Sequence, residues 1–344
     1  MRIKLAGKMG IALVVMIANL TGVRAGQVSH YNGFVLNIRD YLVPPDFGVY
    51  VGLYNIFYTT DEINDTNGNG INSITLQGPR GSEKINLSIS EDMYAISPIL
   101  IWVTPWKPLG ARMAFGIFPS FPNSNPAVAL SRATRAGLST TISSWGVADP
   151  FFAPVWLDWQ FKHLELCFQY GFYAPAGKYD VQTVTLPVIG SSVKVESPDS
   201  LGFGFWTQQF QGTMAYYPFD NPGTAVLLTL TYEYNGWKEG FDLKPGEFLT
   251  LNWGVDQYLP LNKDKSMLLE IGAAGYNSWQ VSNEHGTDSM NPTQRDIVYG
   301  AGGQIGLTYV PWNLIINFHA FDEYYAQNRF QGQAYGFSVV KKFW

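Results

Sequence analysis

The segment Ala225–Asn235, "AVLLTLTYEYN", decides the fold class because its side chains separate with a period of two. One face is apolar or aromatic and comprises Val226, Leu228, Leu230, Tyr232 and Tyr234. The other is small or polar and comprises Ala225, Thr229, Thr231, Glu233 and Asn235, with Leu227 as the exception. A helix would scatter these residues around its axis, whereas a strand places alternate residues on opposite faces. The segment therefore predicts a β-strand of about ten residues, the length of a membrane-crossing strand.

The same alternation recurs along the chain, in His163–Phe172 and in Ile297–Tyr309 among others. Short turns between the strand-like runs alternate with longer polar stretches. The longer stretches are Thr60–Ser82, Pro122–Ala148, Ala174–Ser200, Asn235–Gly246, Ser278–Arg295 and Tyr324–Gly332. This alternation of short and long connections is typical of a barrel with tight turns on one side and longer outer loops on the other. We expect an all-β protein, a transmembrane up-and-down antiparallel β-barrel of about 12 strands.

Composition agrees with a β-rich membrane protein. Aromatic residues make up 15% of the chain, charged residues only 14%, and glycine is abundant at 35 residues. The single cysteine, Cys167, excludes an intramolecular disulfide. The formal net charge of −5 argues against a nucleic-acid partner, which requires basic surface.

The start of the chain has the pattern of a signal peptide over residues 1–25. Arg2, Lys4 and Lys8 precede the apolar run Met9–Leu20, and Ala25 ends a cleavage site before Gly26. Removing residues 1–25 takes away four cations and no acid, so the net charge falls from −5 to −9. We expect an N-terminal segment at 26–45 that enters the lumen as a plug, and a barrel at 46–344 in the outer membrane of a Gram-negative bacterium.

The end of the chain, Ala334–Trp344, alternates like a further strand and finishes on aromatic residues. A free strand edge cannot exist in hydrocarbon, so this strand is predicted to close the barrel against the first. Phe343 and Trp344 are predicted to lie in the aromatic girdle at the membrane surface and to serve as an assembly signal. The partners this implies are the barrel-assembly machinery and outer-membrane lipid.

The inward-facing residues of a barrel are the candidates for its function. Alternation predicts a solute path lined by Tyr50, Tyr54, Arg112, Phe152, Trp156, Asp158, Gln160, Glu165, Gln169, Glu233, Asp256, Glu270, Gln304, Asn317 and His319. Aromatic side chains inside a barrel favour apolar or aromatic solutes, because rings offer stacking surfaces. The alternative is that the charged members only pair across the lumen and make it rigid.

Sequence motifs that would indicate metal binding or catalysis are incomplete or missing. Asp65–Gly70, "DTNGNG", matches the first half of a calcium loop, but Leu76 occupies the twelfth position, where a bidentate glutamate is required. A plain surface loop is the favoured interpretation, and calcium binding stays open. The sequence has no G-x-S-x-G, and no two of its four histidines have metal-ligand spacing. We expect no catalytic residues, no metal and no cofactor.

Two blocks resemble the phenol meta-pathway degradation family of outer-membrane transporters. His30–Asn69 resembles the family's opening, with a Pro-Pro approach, a tyrosine-rich first strand and a D-x-N-G-N loop. Trp145–Asp180 resembles its central hairpin, between an Asp-Pro and a Pro-x-Gly-x-Tyr-Asp, with Ala148 where a glycine is more usual. The resemblance implies a barrel that passes small hydrophobic or aromatic molecules.

The sequence thus predicts an outer-membrane channel for passive uptake of small hydrophobic or aromatic molecules and not an enzyme. Two alternatives remain open at this point. One is a general diffusion porin for polar solutes, and the other is a barrel enzyme or adhesin.

Overall fold

The computed structural model describes residues 29–343, apart from 79–80, 133–134, 187–190, 198 and 290–291. The strands are β1 Gly48–Ile63, β2 Ser73–Gly78, β3 Gly81–Val103, β4 Arg112–Phe118, β5 Phe121–Arg132, β6 Arg135–Thr141, β7 Ser144–Trp145, β8 Phe151–Gln160, β9 Leu164–Tyr173, β10 Val181–Leu186, β11 Ser191–Glu196, β12 Thr207–Tyr216, β13 Thr224–Asn235, β14 Phe248–Pro260, β15 Met267–Gln280, β16 Ile297–Tyr309, β17 Leu314–Gln327 and β18 Phe330–Lys342. The described helices are short 3₁₀ turns at Ile38–Tyr41, Pro108–Gly110 and Val310–Trp312.

Twelve antiparallel strands form a closed barrel, as predicted. Strands β4 and β5 are two parts of one barrel strand, since both pair with β3 and only residues 119 and 120 separate them. Closure comes from β1, which pairs with β3 on one side and with β18 on the other. The predicted pairing of the last strand with the first is therefore confirmed.

The alternation predicted for β13 is confirmed by burial. Leu228 is 41% exposed on the outer surface, and the next residue, Thr229, is 1% exposed inside the barrel. The outer surface carries large apolar side chains on most strands, among them Leu53, Phe57, Phe168, Phe210, Leu230, Val255, Ile271, Ile305, Phe318 and Phe337. An apolar exterior around a polar interior is the pattern of a barrel in a lipid bilayer. Among the described residues, no helix has the length and apolarity needed to cross a membrane.

The two rims of the barrel differ. At the short-turn end, β8 and β9 are joined by three residues, Phe161–His163. At the opposite, loop end, β3 extends to 23 residues with β2 and β5 beside it, and β10 pairs with β11 in a separate hairpin. One stretch expected to be a long loop, Tyr324–Gly332, is instead mostly strand, because β17 and β18 continue until only Asn328 and Arg329 separate them. Asn328 has a φ of 55°, the left-handed conformation that such a tight turn needs.

The C-terminus is joined to the start of the barrel. The Phe343 N–H donates to the Val49 carbonyl at 2.9 Å, and the Phe343 side chain is 61% exposed. Trp344 and the predicted signal peptide at 1–25 lie outside the described residues.

Residues before β1 lie against the inner wall of the barrel. The 3₁₀ turn Ile38–Tyr41 places Ile38 over Gly254 of β14 and Gly272 of β15. A Cβ atom at Gly272 would lie 2.4 Å from Ile38 Cδ1, so these strands approach the segment closely only because glycine has no side chain. The packing shows why glycines face inward here.

Candidate functional site

A cavity of about 1130 Å³ lies between the N-terminal segment and the barrel wall. At the loop end it is lined by Leu201 and Phe203, and at the short-turn end by Gln257 and Lys265. The wall from β1 to β8 contributes apolar side chains, among them Ile56, Ile99, Ile101, Phe118, Phe151 and Trp156. The cavity therefore has lining residues at both rims of the barrel and a mainly apolar flank along part of its length.

Most of the residues predicted for the solute path point inward. Those that line the cavity are Tyr50, Tyr54, Arg112, Trp156, Gln160, Glu165, Gln169, Glu270, Gln304 and Asn317. Four others are buried inside the barrel without lining the cavity, namely Asp158, Glu233, Asp256 and His319.

Phe152 is the exception, and the inward orientation predicted for it is wrong. The pairing of β8 with β9 shifts register between Phe152 and Val155, a β-bulge that reverses the phase of the strand. Phe152 stacks on Phe172 at 5.4 Å between ring centroids, and Phe172 also packs against Trp206, which is 52% exposed. Its neighbour Phe151 takes the inward position and lines the cavity. The signal for this bulge was Pro154, which has no N–H for the ladder.

Five rings form a continuous series along the cavity, which we call the ring series: Phe203, His30, Tyr173, Phe151 and Phe118. Successive centroids are 4.6, 4.7, 4.7 and 5.6 Å apart. These spacings are typical of favourable aromatic contacts. Alternation along single strands did not find this feature, since its members come from separate parts of the chain.

Asp149 joins the loop end to the N-terminal segment. Its carboxylate accepts the N–H groups of Gly177 and Phe203, both at 2.8 Å, and its Oδ2 lies 3.0 Å from His30 Nε2. The other ring nitrogen of His30 lies 2.8 Å from Thr207 Oγ1. Burial lowers the pKa of His30, against the opposing effect of Asp149, so the imidazole is neutral near pH 7. Sequence reasoning did not find this role of Asp149, although the Asp149–Pro150 and Gly177 positions carried the family resemblance.

The N-terminal segment is bonded to polar residues of the wall. Arg39 makes a bidentate ion pair with Asp256, with both N–O distances 2.7 Å. The Tyr31 N–H donates to Glu233 Oε1 at 3.0 Å, and the Ile38 N–H donates to Gln304 Oε1 at 2.8 Å. Backbone and side-chain groups of the segment thus find partners that lipid could not supply.

Further members of the predicted set pair with one another. The Arg112 guanidinium bonds to Asp158 and also to Glu165, the latter at 2.5 Å. Outside the predicted set, the Tyr58 and Tyr276 hydroxyls donate to Glu323, each at 2.8 Å. Arg112, Asp158 and Glu165 thus pair between the neighbouring strands β4, β8 and β9 rather than across the lumen, and Asp256 pairs with Arg39 of the N-terminal segment.

The described residues contain no cluster of three or more His, Cys, Asp or Glu side chains arranged to hold a metal ion. In the Asp65–Gly70 loop, Asp65 Oδ1 accepts the N–H groups of Asn67 at 2.8 Å and Asn69 at 2.9 Å. The hydrogen bonds from Asn69 and Asn67 lower the pKa of Asp65, against the opposing effect of burial. The carboxylate thus stabilises its own turn, as in an ordinary Asx turn.

Residues 32–339 match the model of a family described as "Putative MetA-pathway of phenol degradation". The chain belongs to this family. The match covers almost the whole barrel and confirms the resemblance noted in the sequence. No curated protein matches the chain.

Solved structures share the architecture. An outer membrane channel from Pseudomonas putida F1 aligns with a TM-score of 0.59 and 13% identity, covering 90% of this chain and 100% of that one. The β domain of the Bordetella autotransporter BrkA aligns with a TM-score of 0.43 and 9% identity over 86% and 100% of the two chains. The CymD monoaromatic hydrocarbon channel gives 0.38 and 10% over 94% and 98%. The first likeness shows a shared fold, and the other two are too distant to bear on function. With its apolar exterior, the family member is a β-barrel of the bacterial outer membrane.

Proposed function

We propose that this family member is a passive outer-membrane channel through which small aromatic molecules diffuse inward. The observation that carries the proposal is the ring series, which follows the cavity from Phe203 at the loop end to Phe118 in the wall. A solute ring that moves along it exchanges one aromatic contact for the next, each worth about 0.5–1.5 kcal/mol. Such a path lowers the barrier for aromatic solutes and offers little to a sugar.

The family description supports the same substrate class, since it refers to phenol degradation. A general porin for polar solutes is the weaker candidate, because Arg39 and Arg112, two cations that line the cavity, are already held in ion pairs. Passive movement along the ring series needs neither a catalytic step nor a cofactor. The N-terminal segment acts as the constriction that any solute must pass.

The test uses the adjacent residues Phe151 and Phe152, one inside the barrel and one outside. Intact Gram-negative cells expressing the protein should take up radiolabelled toluene faster than cells with an empty vector, because their lipopolysaccharide leaflet retards apolar solutes. Phe151→Ala should lower the ratio of toluene to arabinose uptake, while Phe152→Ala should leave it unchanged. Equal uptake of toluene with and without the protein, together with rapid arabinose entry, would support the general porin instead.

A further inference from the structure

Beside the ring series, three glutamines form a neutral polar patch on the inner wall, which we call the amide patch: Gln169 of β9 and Gln209 and Gln211 of β12. All three line the cavity and are 5%, 3% and 3% exposed. Gln169 pairs directly with Gln211 across the two strands, and Gln209 is opposite Gly171. Side chains that are opposite each other in antiparallel strands have Cβ atoms about 5 Å apart, so the three amides form one group.

The hydrogen-bonding capacity of the amide patch is almost unused. Each glutamine amide offers two N–H donors and one carbonyl acceptor. Within the part of the chain that the structure describes, the only bond to the patch is a 3.4 Å contact from Thr231 Oγ1 to Gln211 Oε1. Gln209 Oε1 is buried with no partner. Buried amides are normally paired, and an unpaired one costs about 1–3 kcal/mol.

Aromatic surface borders the amide patch. Trp156 of β8 is directly opposite Gln169, and its indole N–H donates to Cys167 Sγ at 3.0 Å, so the ring is fixed. On the other side, the Phe151 ring covers Gly171, where a Cβ atom would lie 2.3 Å from Phe151 Cζ. A solute ring held between Trp156 and Phe151 would therefore present a substituent to the amides.

The local charges disfavour an anionic substituent. Glu233 of β13 is directly opposite Gln209 of β12 in the strand register. Glu165 precedes Gln169 on the same face of β9. Arg112, the cation on this side of the cavity, is already bonded to Asp158 and Glu165. Among the described residues, a carboxylate on the solute would find no unpaired cation beside the patch, whereas a hydroxyl can both donate to and accept from an amide.

We propose that the amide patch is a binding subsite for the hydroxyl group of an uncharged aromatic solute. This inference rests on the proposed function and adds a preference within it, for a hydroxylated ring over a hydrocarbon or a carboxylate. The ring contacts Trp156 and Phe151, and the hydroxyl bonds to the amides of Gln169 and Gln209. Sites built to hydrogen-bond a ligand group discriminate strongly against analogues that lack it, because the buried partners are then left unpaired.

The experiment measures equilibrium binding of radiolabelled phenol, toluene and benzoate to the full-length protein in lipid nanodiscs, with empty nanodiscs subtracted. Phenol and toluene have nearly the same shape and differ in the hydroxyl. The wild-type protein should bind phenol most tightly, toluene less and benzoate least. This series needs no variant, and a protein that binds toluene as tightly as phenol would overturn the inference while leaving the proposed function intact.

The variants are Gln169→Met and Gln209→Met, which keep side-chain size and remove the hydrogen bonds. Each should weaken phenol binding by about three- to tenfold, the value of one hydrogen bond, and leave toluene binding unchanged. Gln160→Met is the matched control, since Gln160 lines the same cavity but already bonds to Glu165 at 3.1 Å. If the ratio of phenol affinity to toluene affinity is unchanged in both variants, the assignment of the amide patch as the hydroxyl subsite is wrong, while the proposed function stands. Failure of the wild-type protein to bind either ligand would overturn the proposed function with it.

Discussion

His30 Nε2 lies 3.0 Å from Asp149 Oδ2, so a residue that precedes the first strand is held by one between β7 and β8. The same carboxylate accepts N–H groups from Gly177 and Phe203. His30 also stacks on Tyr173 at 4.7 Å. The contact therefore connects the N-terminal segment, two outer connections and the ring series at one point near the loop end.

Acidification should destabilise the folded protein at His30, because a protonated imidazole is costly to bury there. Burial lowers the pKa of His30 in the folded protein below its value in the unfolded chain, so the unfolded chain binds more protons near pH 6. The stability that neutral His30 contributes is therefore complete above the pKa of His30 in the unfolded chain. It is lost as the pH falls towards the lower pKa of His30 in the folded protein, by at most about 1.4 kcal/mol per pH unit. The urea midpoint should fall more between pH 7.5 and 5.5 in the wild type than in His30→Gln. Equal falls would show that His30 does not contribute.

The alternation of faces can be tested on one strand with adjacent residues. Phe210 is 42% exposed on the outer surface, and Gln211 lines the cavity. Phe210→Arg puts a cation against lipid and should cost about 2–4 kcal/mol near the midplane. Gln211→Arg puts the same cation in a polar cavity and should cost much less. Reversible unfolding in lipid vesicles measures both, and equal costs would contradict the assignment of faces.

The ion pair of Arg39 with Asp256 should hold the N-terminal segment to β14. The Asp256 side chain is fully buried and that of Arg39 is 20% exposed. Arg39→Met leaves the carboxylate without its partner and should cost about 1–3 kcal/mol, less than for a fully buried pair because of the exposed guanidinium. Asp256→Asn should recover part of that loss in the double variant. A double variant whose loss equals the sum of the single losses would show that the two residues do not interact.

Removal of residues 29–43 should widen the pore. These residues supply the contacts of Tyr31, Ile38 and Arg39 with the wall, and their absence leaves the lumen open. Single-channel conductance in a planar bilayer should rise, and discrimination between an aromatic solute and a sugar of similar size should fall. A control variant lacking the hairpin 181–196 keeps the segment and should retain narrow conductance. Parental conductance in the 29–43 deletion would place the constriction elsewhere.

Deletion of Phe343 and Trp344 should impair assembly. The Phe343 N–H closes the last hydrogen bond between the chain end and Val49, and its ring is exposed at the rim. The truncated protein should accumulate in the periplasm, and the heat-resistant, fast-migrating form in the outer membrane should decrease. Phe343→Tyr keeps an aromatic at the interface and should assemble normally. Normal levels of the folded form after the deletion would rule out an assembly signal in these two residues.

Much of the barrel could be predicted from sequence because strand alternation is a local property. The side chains of Val226 and Ala225 take opposite faces whatever the rest of the chain does. The strand number and the closure of β18 on β1 followed from the same pattern, together with the rule that no edge is left free in lipid. Inward placement of charged residues such as Glu233 and Asp256 followed as well.

The tertiary structure decided which rings and amides meet. The bulge at Pro154 places Phe151, and not Phe152, inside the barrel. Register depends on hydrogen bonds to a neighbouring strand as well as on alternation. The ring series joins His30 to residues far along the chain, and the amide patch joins β9 to β12 across the intervening connection. Such contacts arise only when the barrel closes, since closure fixes which distant segments lie side by side in the wall. The alternation of side chains within one strand does not indicate which strands will be its neighbours.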